Sequence, residues 1–521
     1  MSRPTVIMSV GGKSGHGGPG LEPGYPLALS LSGGGVRAAL FGLGVAMAMH
    51  DAKKMPEYIV SVSGGSITNM ILADQFFSVE NGGQADWERA TRHAYDRIRA
   101  GSLTRPWITL FILYLLSPVA IGIYLAMAGR TLLVLALFLP AWSAILLLRG
   151  HLIEAIMAHQ YIGRGWRRRT IDSLQGPDSN RRRHIFCCTD LVVGQPVHVA
   201  SDGSLFRRIA DPKAGSIPRT LSPQELGARL DDVGLSVDGS GRLRLSAVLR
   251  ATAAFPGIPP RLVHWKRLSD ALSADQSVPR GDRVVTPAQN KATRHATGYL
   301  SDGGVWNNLA TEPYEDGFIF DLYGPWVVVV ADASGLPRAA SPLAFRFPGL
   351  AEIRSLLRQT TILSTNTVGP RRRAFDNDIF IELRHPGTLR TSKERLYPVV
   401  GIEETPTDLI RRFRDNFIEP EQYKYAGGKG GIPGRYTAVS NRLNELSNEV
   451  QQLAHYASWS GAHAGRRDVA RHPTSLGRVR GKTATTLVMR GYVNTVLTLY
   501  LCNLSNDLPT PTGWLANEVA R

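Results

Sequence analysis

The segment Leu27-Ala-Leu-Ser-Leu-Ser-Gly-Gly-Gly-Val-Arg-Ala-Ala-Leu-Phe-Gly-Leu-Gly44 constrains this chain more than any other. An apolar alternating run stops at three consecutive glycines, Gly33, Gly34 and Gly35, and a helix pattern built on small residues follows at once. The chain is therefore expected to pass from a strand through a glycine loop into a helix N-terminus. Such a loop presents unpaired backbone N–H groups in a concave array, at the positive end of a helix dipole. It suits an anion, either a bound phosphate or the transient oxyanion of acyl transfer.

Tyr58-Ile-Val-Ser-Val-Ser-Gly-Gly-Ser66 reads as a second strand ending in a sharp turn of small residues. Ser61-x-Ser63-x-Gly65 is close to the G-x-S-x-G elbow, which lifts a serine hydroxyl onto a strained strand-to-helix turn. Ser61 stands where that pattern has its first glycine. Ser63 is the candidate nucleophile, and a helix is expected from Ser66 through Ile71, Leu72 and Phe76. A serine hydroxyl needs a base. In Gly298-Tyr-Leu-Ser-Asp-Gly-Gly-Val-Trp-Asn-Asn308, Asp302 closes a short strand and is followed by Gly303 and Gly304. A carboxylate there can face Ser63 at the carboxyl edge of a parallel sheet, where α/β folds place their sites. Taken singly, a glycine triplet, a serine at a strand end and an Asp-Gly pair are ordinary turns. Their conjunction carries the reading. Gly11-Gly-Lys-Ser14 is no phosphate loop, because Ile7 occupies the place of its first glycine. A rival Ser–His–Asp triad would draw on His184, His198, His264 or His295, or on His385 after the acid. For all five a solvated or capping role is expected.

Gly-Gly-Gly-x-Arg at Gly33–Arg37, the serine elbow and a later Asp-Gly-Gly, in that order, resemble the patatin-like phospholipase family. Ile185-Phe-Cys-Cys-Thr-Asp-Leu-Val-Val-Gly-Gln-Pro-Val197 is similar to that family's central strand with Gly-x-Pro-Val. Val248-Leu-Arg-Ala-Thr-Ala-Ala-Phe-Pro-Gly-Ile-Pro-Pro260 is similar to its helix-to-loop segment, and Arg490-Gly-Tyr-Val493 to its closing helix. Each motif alone is weak; five in the right order are hard to obtain by chance. The resemblance covers residues 25–335 and implies an α/β fold, a three-layer α/β/α core with a mostly parallel central sheet. It also implies a Ser–Asp dyad without a catalytic histidine. Ser63 would attack the ester carbonyl and Asp302 would accept its proton. The N–H groups of Gly33, Gly34 and Gly35 would hold the oxyanion. Arg37 would anchor the loop, with Ser61, Gly65, Gly303 and Gly304 in support. No cofactor or metal is implied, and calcium is not needed where backbone N–H groups hold the oxyanion.

From Trp107 to Leu148 the chain is almost wholly apolar. Trp107–Ala128 and Thr131–Leu148 are separate runs around Gly129-Arg130, each near the ~20 residues that span a bilayer as a helix. A transmembrane helical hairpin is expected over 106–149, kinked at Pro118 and Pro140; a buried helical pair or a re-entrant hairpin is the alternative. Ser63 precedes this segment and Asp302 follows it, so the two can meet only if the membrane is crossed an even number of times. Arg97, Arg99 and Arg105 lie before it, and Arg149, Arg164, Arg167, Arg168 and Arg169 after it. The positive-inside rule then places the catalytic domain on the cytoplasmic side.

The net charge of +17 and sequence pI near 10.0 fit anionic lipid head groups as partners, through Arg167–Arg169, Arg181–Arg183 and Arg371–Arg373. The bland alternative for these clusters is a solvated face. No aromatic-interleaved or helix-turn-helix pattern supports nucleic-acid binding. Cys187, Cys188 and Cys502 imply no disulfide framework, and the first 24 residues lack the apolar run of a secretory signal. The expected organisation is a glycine-rich arm (1–24), a core in two parts (25–105 and 150–335), the hairpin, and a mostly helical part (336–521). Strands are expected at Trp326–Ala331 and Ile379–Leu383. Helices are expected near 349–364, 405–416, 436–456 and 484–504, with loops at 266–296 and 420–435. The expected activity is ester cleavage in membrane phospholipids or lysophospholipids. A transacylase and a non-catalytic membrane scaffold are the alternatives.

Overall fold

The computed structural model describes residues 27–77, 83–102, 116–117, 119–129, 131–174, 182–192, 194–201, 205–207, 244–254, 260–263, 298–315, 327–334, 368–376, 378–379, 395–414, 476–502, 504–505 and 507–520, with single positions at 453, 456, 464 and 472. Its strands are β1 (Leu27–Leu31), β2 (Tyr58–Val62), β3 (Arg183–Asp190), β4 (Gln195–Ala200), β5 (Leu205–Arg207), β6 (Arg261–Val263), β7 (Gly298–Asp302), β8 (Val327–Asp332) and β9 (Val399–Gly401). The helices used below are α1 (Gly35–Asp51), α2 (Gly64–Leu72), α3 (Gln84–Ala100), α4 (Thr131–Tyr161), α5 (Leu245–Thr252), α6 (Pro406–Phe413) and α7 (Gly481–Leu501).

All nine strands form one sheet, in the order β5-β4-β3-β2-β1-β8-β9, with β7 also on β3 and β6 on β7. β3, β2, β1, β8 and β9 run parallel. β4, β5, β6 and β7 pair antiparallel with their neighbours. The chain is thus an α/β fold with a mostly parallel core. Alternation along β1 sends Leu27, Leu29 and Leu31 to one face and Ala28 to the other. The first face carries α1, α2, α3, α5 and α7; the second carries Leu309, Tyr314, Val368 and Phe375.

α1 is apolar on every side because it is covered on every side. The sheet lies under it and α7 crosses above it. A Cβ on Gly44 would lie 1.9 Å from the Val488 carbonyl oxygen, and one on Gly491 would lie 2.1 Å from that of Phe41. The two helices therefore touch backbone to backbone. This explains the Arg-Gly-Tyr segment. Gly491 permits the crossing, and Tyr492 donates to Asp51 at 2.8 Å. Fully buried Arg490 donates to the carbonyls of Ile402 (2.8 Å) and Glu404 (3.0 Å).

Several elements differ from expectation. α2 begins at Gly64, two residues before Ser66, and ends in a π-turn at Ala73–Phe77. Of the strand expected at Ile379–Leu383 only Ile379 is among the described residues; it is helical, with its side chain buried in the core. Among the described residues the outer parallel strand is β9, three residues long and too short to stand out by pattern. α6 and α7 answer the helices expected near 405–416 and 484–504, and Thr405 caps α6 in a box with Asp408. Residues 349–364, 420–435 and 266–296 lie outside the described residues, as does most of 436–456.

Most of the first apolar run, 103–115, also lies outside the described residues. Among those described, no helix is long and apolar enough to cross a membrane, so the hairpin expected over 106–149 gains no support from the fold. α4 does not stop at Leu148. It continues through Pro140 to Tyr161, and Ile153, Ile156, Met157, Ala158 and Tyr161 are buried. Its last turn is tied to α3: Arg97 donates to the carbonyls of His159 (3.0 Å) and Gln160 (2.7 Å), and Gln160 donates back to Arg97 (2.8 Å). The arginine cluster at 371–373 is solvated only in part, with Arg373 exposed. Arg372 pairs with Asp332 and Glu404, and Arg371 with Glu315.

Candidate active site

Ser63 leaves β2 with φ 51° and ψ −119°, a left-handed conformation for a residue with a side chain. Holding it costs on the order of 1–3 kcal/mol, so surrounding contacts must fix it. Its N–H is shared between the Thr252 carbonyl (3.1 Å) and the Thr252 hydroxyl (3.2 Å). A Cβ on Gly64 would lie 2.1 Å from the Gly35 carbonyl oxygen, and one on Gly65 would lie 2.4 Å from that of Leu31. The elbow and the glycine loop therefore press together, and both positions exclude any side chain. Ser61 fits this turn without displacing it. Its buried hydroxyl donates to the Ile185 carbonyl (3.2 Å) and accepts from Ser66 (3.2 Å) and Asn69 (2.8 Å).

The register of β3 brings Asp302 to Ser63. β2 runs beside β3 until Val62 stands opposite Cys187. β7 takes over the same edge from the other direction, with Asp302 opposite Cys188. Two strands thus meet end to end, and the residues at their tips are Ser63 and Asp302. The Asp302 carboxyl is 2 % exposed. Its Oδ1 accepts the Gly304 N–H at 2.8 Å, and its buried Oδ2 has no hydrogen-bond partner among the described residues. Burial pushes its pKa up from the ordinary 3.8 to about 6, against the opposing pull of the Ser63 hydroxyl and the Gly304 N–H. A carboxylate so tuned is ionised at neutral pH yet basic enough to take a proton.

The glycine loop contributes unequally. The Gly33 N–H is taken by the Asn308 carbonyl at 2.9 Å. The N–H groups of Gly34, Gly35 and Gly64 donate to no group among the described residues. Gly35 opens α1 and Gly64 opens α2, so two helix N-termini converge on this spot. Arg37 anchors the loop. It donates to the carbonyls of Ala333 (2.8 Å) and His472 (2.9 Å), and burial lowers its pKa to about 10. Asn308 was legible only as the end of the Asp-Gly-Gly segment, yet its amide stands between the two loops. A Cβ on Gly33 would lie 2.3 Å from its Oδ1, and one on Gly304 would lie 2.8 Å away. Gly303 is equally constrained, since its Cβ would lie 2.5 Å from the Cys187 carbonyl oxygen.

The histidines are not solvated or capping where they are described. His184 is fully buried with Nδ1 2.7 Å from the Asn69 amide oxygen, and His198 is buried in β4. Burial lowers their pKa values to about 3 and about 4, so both are neutral. His264, His295 and His385 lie outside the described residues. Among the described residues no group of three or more His, Cys, Asp or Glu is placed to hold a metal ion.

No curated protein matches the chain. Among protein families, residues 29–313, more than half of the chain, match the patatin-like phospholipases. That span runs from β1 past Asp302 and takes in the glycine loop, the elbow and Asp302 itself. The chain belongs to the patatin-like phospholipase family, a family of lipid ester hydrolases.

Proposed function

We propose that the protein hydrolyses ester bonds of membrane phospholipids or lysophospholipids with Ser63 as nucleophile and Asp302 as base. The observation that carries this reading is the end-to-end meeting of β2 and β7 on β3, which brings a strained serine to a buried, half-satisfied carboxylate. The Ser63 oxygen adds to the ester carbonyl while its proton passes to Asp302. The oxyanion lies against the N–H groups of Gly34, Gly35 and Gly64, and loss of one such donor typically costs about 2.7–4 kcal/mol of transition-state stabilisation. Collapse expels the alcohol, which takes the proton from Asp302. Water then adds to the acyl-serine and gives its proton to Asp302; collapse releases the fatty acid and returns that proton to the Ser63 oxygen.

Lipid as the substrate is supported by exposed apolar side chains on the same part of the fold. Val305, in the turn after Asp302, and Tyr299 of β7 with Leu191 and Val192 just past β3 are all 41–57 % exposed. Membrane anchoring by the segment Trp107–Leu148 is supported by its composition and by exposed Leu116, Ile121, Ile123, Tyr124 and Met127. Basic residues on both flanks favour anionic lipid and a cytoplasmic catalytic domain. The test is lipid-product profiling of the full chain in phospholipid vesicles. Wild type releases free fatty acid and reacts with a fluorophosphonate probe. Ser63→Ala, folded, does neither, and fatty-acid release that survives in Ser63→Ala refutes the mechanism. An acyl product on an added alcohol in place of free acid would assign a transacylase.

A further inference from the structure

α5 touches both halves of the dyad. At its C-terminal end, the Thr252 carbonyl and hydroxyl share the Ser63 N–H (3.1 and 3.2 Å). The Thr252 hydroxyl also contacts that of Ser66 (2.9 Å) and donates to the Cys187 carbonyl (2.8 Å). Two residues on, the Ala254 carbonyl accepts from the Asp302 N–H (3.4 Å) and from the Ser301 hydroxyl (2.9 Å). A single short helix end therefore sets the backbone of the nucleophile and of the base.

The helix is held in turn by one buried carboxylate. Glu154, on α4, is 5 % exposed. Its Oε1 accepts from Ser246 in the first turn of α5 (2.8 Å). Its Oε2 lies 3.5 Å from Arg250 of α5 and 3.3 Å from Arg261 of β6. β6 pairs with β7, so the second arginine leads to the strand that ends in Asp302. Arg250 also donates to the Pro260 carbonyl (2.8 Å), and Gly150 leaves the space for its guanidinium, since a Cβ there would lie 2.2 Å from Nη2. A buried charge bound to two adjoining elements fixes their spacing.

We infer that Thr252 and Glu154 are positioning residues for the dyad: Thr252 aims Ser63, and Glu154 locks α5 and β6 so that Ser63 and Asp302 keep their separation. This rests on the reading of Ser63 and Asp302 as the reacting pair. Neither residue touches substrate, so loss of either lowers kcat and leaves KM unchanged. Because both act through α5, their effects do not multiply.

The test uses the full chain in detergent micelles with a soluble p-nitrophenyl butyrate substrate. Thr252→Val keeps the volume and removes the hydroxyl; it lowers kcat at least tenfold with KM within twofold. Thr252→Ser restores kcat to within threefold of wild type. Glu154→Gln keeps the Ser246 contact, loses the charge shared by both arginines, and lowers kcat three- to tenfold. The double variant falls no lower than about threefold below the worse single one. Should Glu154→Gln fail to fold, Arg261→Met removes one ion pair of a largely covered arginine and reads the same coupling. Single variants at wild-type kcat, losses that multiply, or a rise in KM at unchanged kcat overturn the proposal. A wild type that Ser63→Ala leaves unaltered overturns the dyad and this proposal with it. A wild type silenced by Ser63→Ala yet indifferent to Thr252→Val and Glu154→Gln overturns the positioning role alone.

Discussion

Asp302→Asn is expected to stabilise the protein while abolishing its activity. The carboxyl is 2 % exposed, with only Oδ1 satisfied, and burial raises its pKa from 3.8 to about 6. The sign follows from proton linkage. The folded state binds this proton more tightly than the unfolded chain, so ionisation opposes folding. Below pH 3.8 both states are protonated and the group is neutral to stability. Above pH 6 both are ionised and the full penalty is present. At about 1.36 kcal/mol per pH unit, the penalty is on the order of 3 kcal/mol. Asparagine keeps an oxygen for the Gly304 N–H and places an uncharged amide where Oδ2 stands. Some of the gain is offset by the new N–H donors, which leaves about 1–3 kcal/mol. Urea unfolding in a mild detergent, followed by tryptophan fluorescence, reads it directly. At pH 8 the variant should unfold at higher urea than wild type, and near pH 4 the two should nearly coincide. A variant no more stable at pH 8, or a margin that does not change with pH, refutes the claim that this carboxylate is buried at an energetic cost.

The same pKa sets the acid limb of catalysis: kcat/KM for a soluble ester should rise with pH through a midpoint near 6, and a midpoint near 4 would mean a solvated base. Ser61→Gly, which restores the usual elbow glycine, removes a hydroxyl that makes three hydrogen bonds. It should lower the unfolding free energy by about 1–2 kcal/mol, read as a lower urea midpoint, and leave kcat within threefold; a tenfold gain in kcat would show that Ser61 holds the elbow off its proper geometry. Gly44→Ala places a methyl 1.9 Å from the Val488 carbonyl oxygen, a backbone contact that no rotamer relieves. It should destabilise by about 1–3 kcal/mol, and an unchanged urea midpoint would refute the close crossing of α1 and α7.

The candidate reacting groups were legible because a site of this kind marks its residues locally. A glycine that excludes a Cβ, a serine forced to positive φ and a carboxylate before two glycines all leave short patterns, at Gly33–Gly35, Ser63–Gly65 and Asp302–Gly304. What joins them was not legible. That β7 takes over the edge of β3 where β2 stops is a matter of register between segments far apart in sequence. Thr252 and Asn308 lay inside recognised segments, but their contacts depend on that register. The Gly33 N–H looked like an oxyanion donor for the same reason: only the folded chain brings the Asn308 carbonyl to it. The edge strand β9 was missed because three residues carry no period, whereas the buried run of β8 stood out at six. His184 looked like a polar residue beside a strand and is instead a neutral member of the network beneath Ser61, through Asn69.

The position of the apolar segment then has a structural logic. An insertion tolerated by a folded core should enter and leave at neighbouring points, so that the core closes without it. α3 and α4 meet that condition, because Arg97 and Gln160 tie their ends together with three hydrogen bonds. The entry is therefore fixed to the exit. The exit, however, is not a flexible linker. α4 runs as one helix from the apolar residues after Thr131 to Tyr161 in the core, and it carries Glu154 on the way. A helix transmits rotation and translation along its axis, while a loop absorbs them. α4 thus joins the apolar residues after Thr131 to the carboxylate that holds α5 and β6, and through Thr252 and Ala254 to Ser63 and Asp302. The segment proposed to seat the protein on a lipid surface and the pair proposed to cleave the lipid are in this way joined by one helix and the carboxylate it carries.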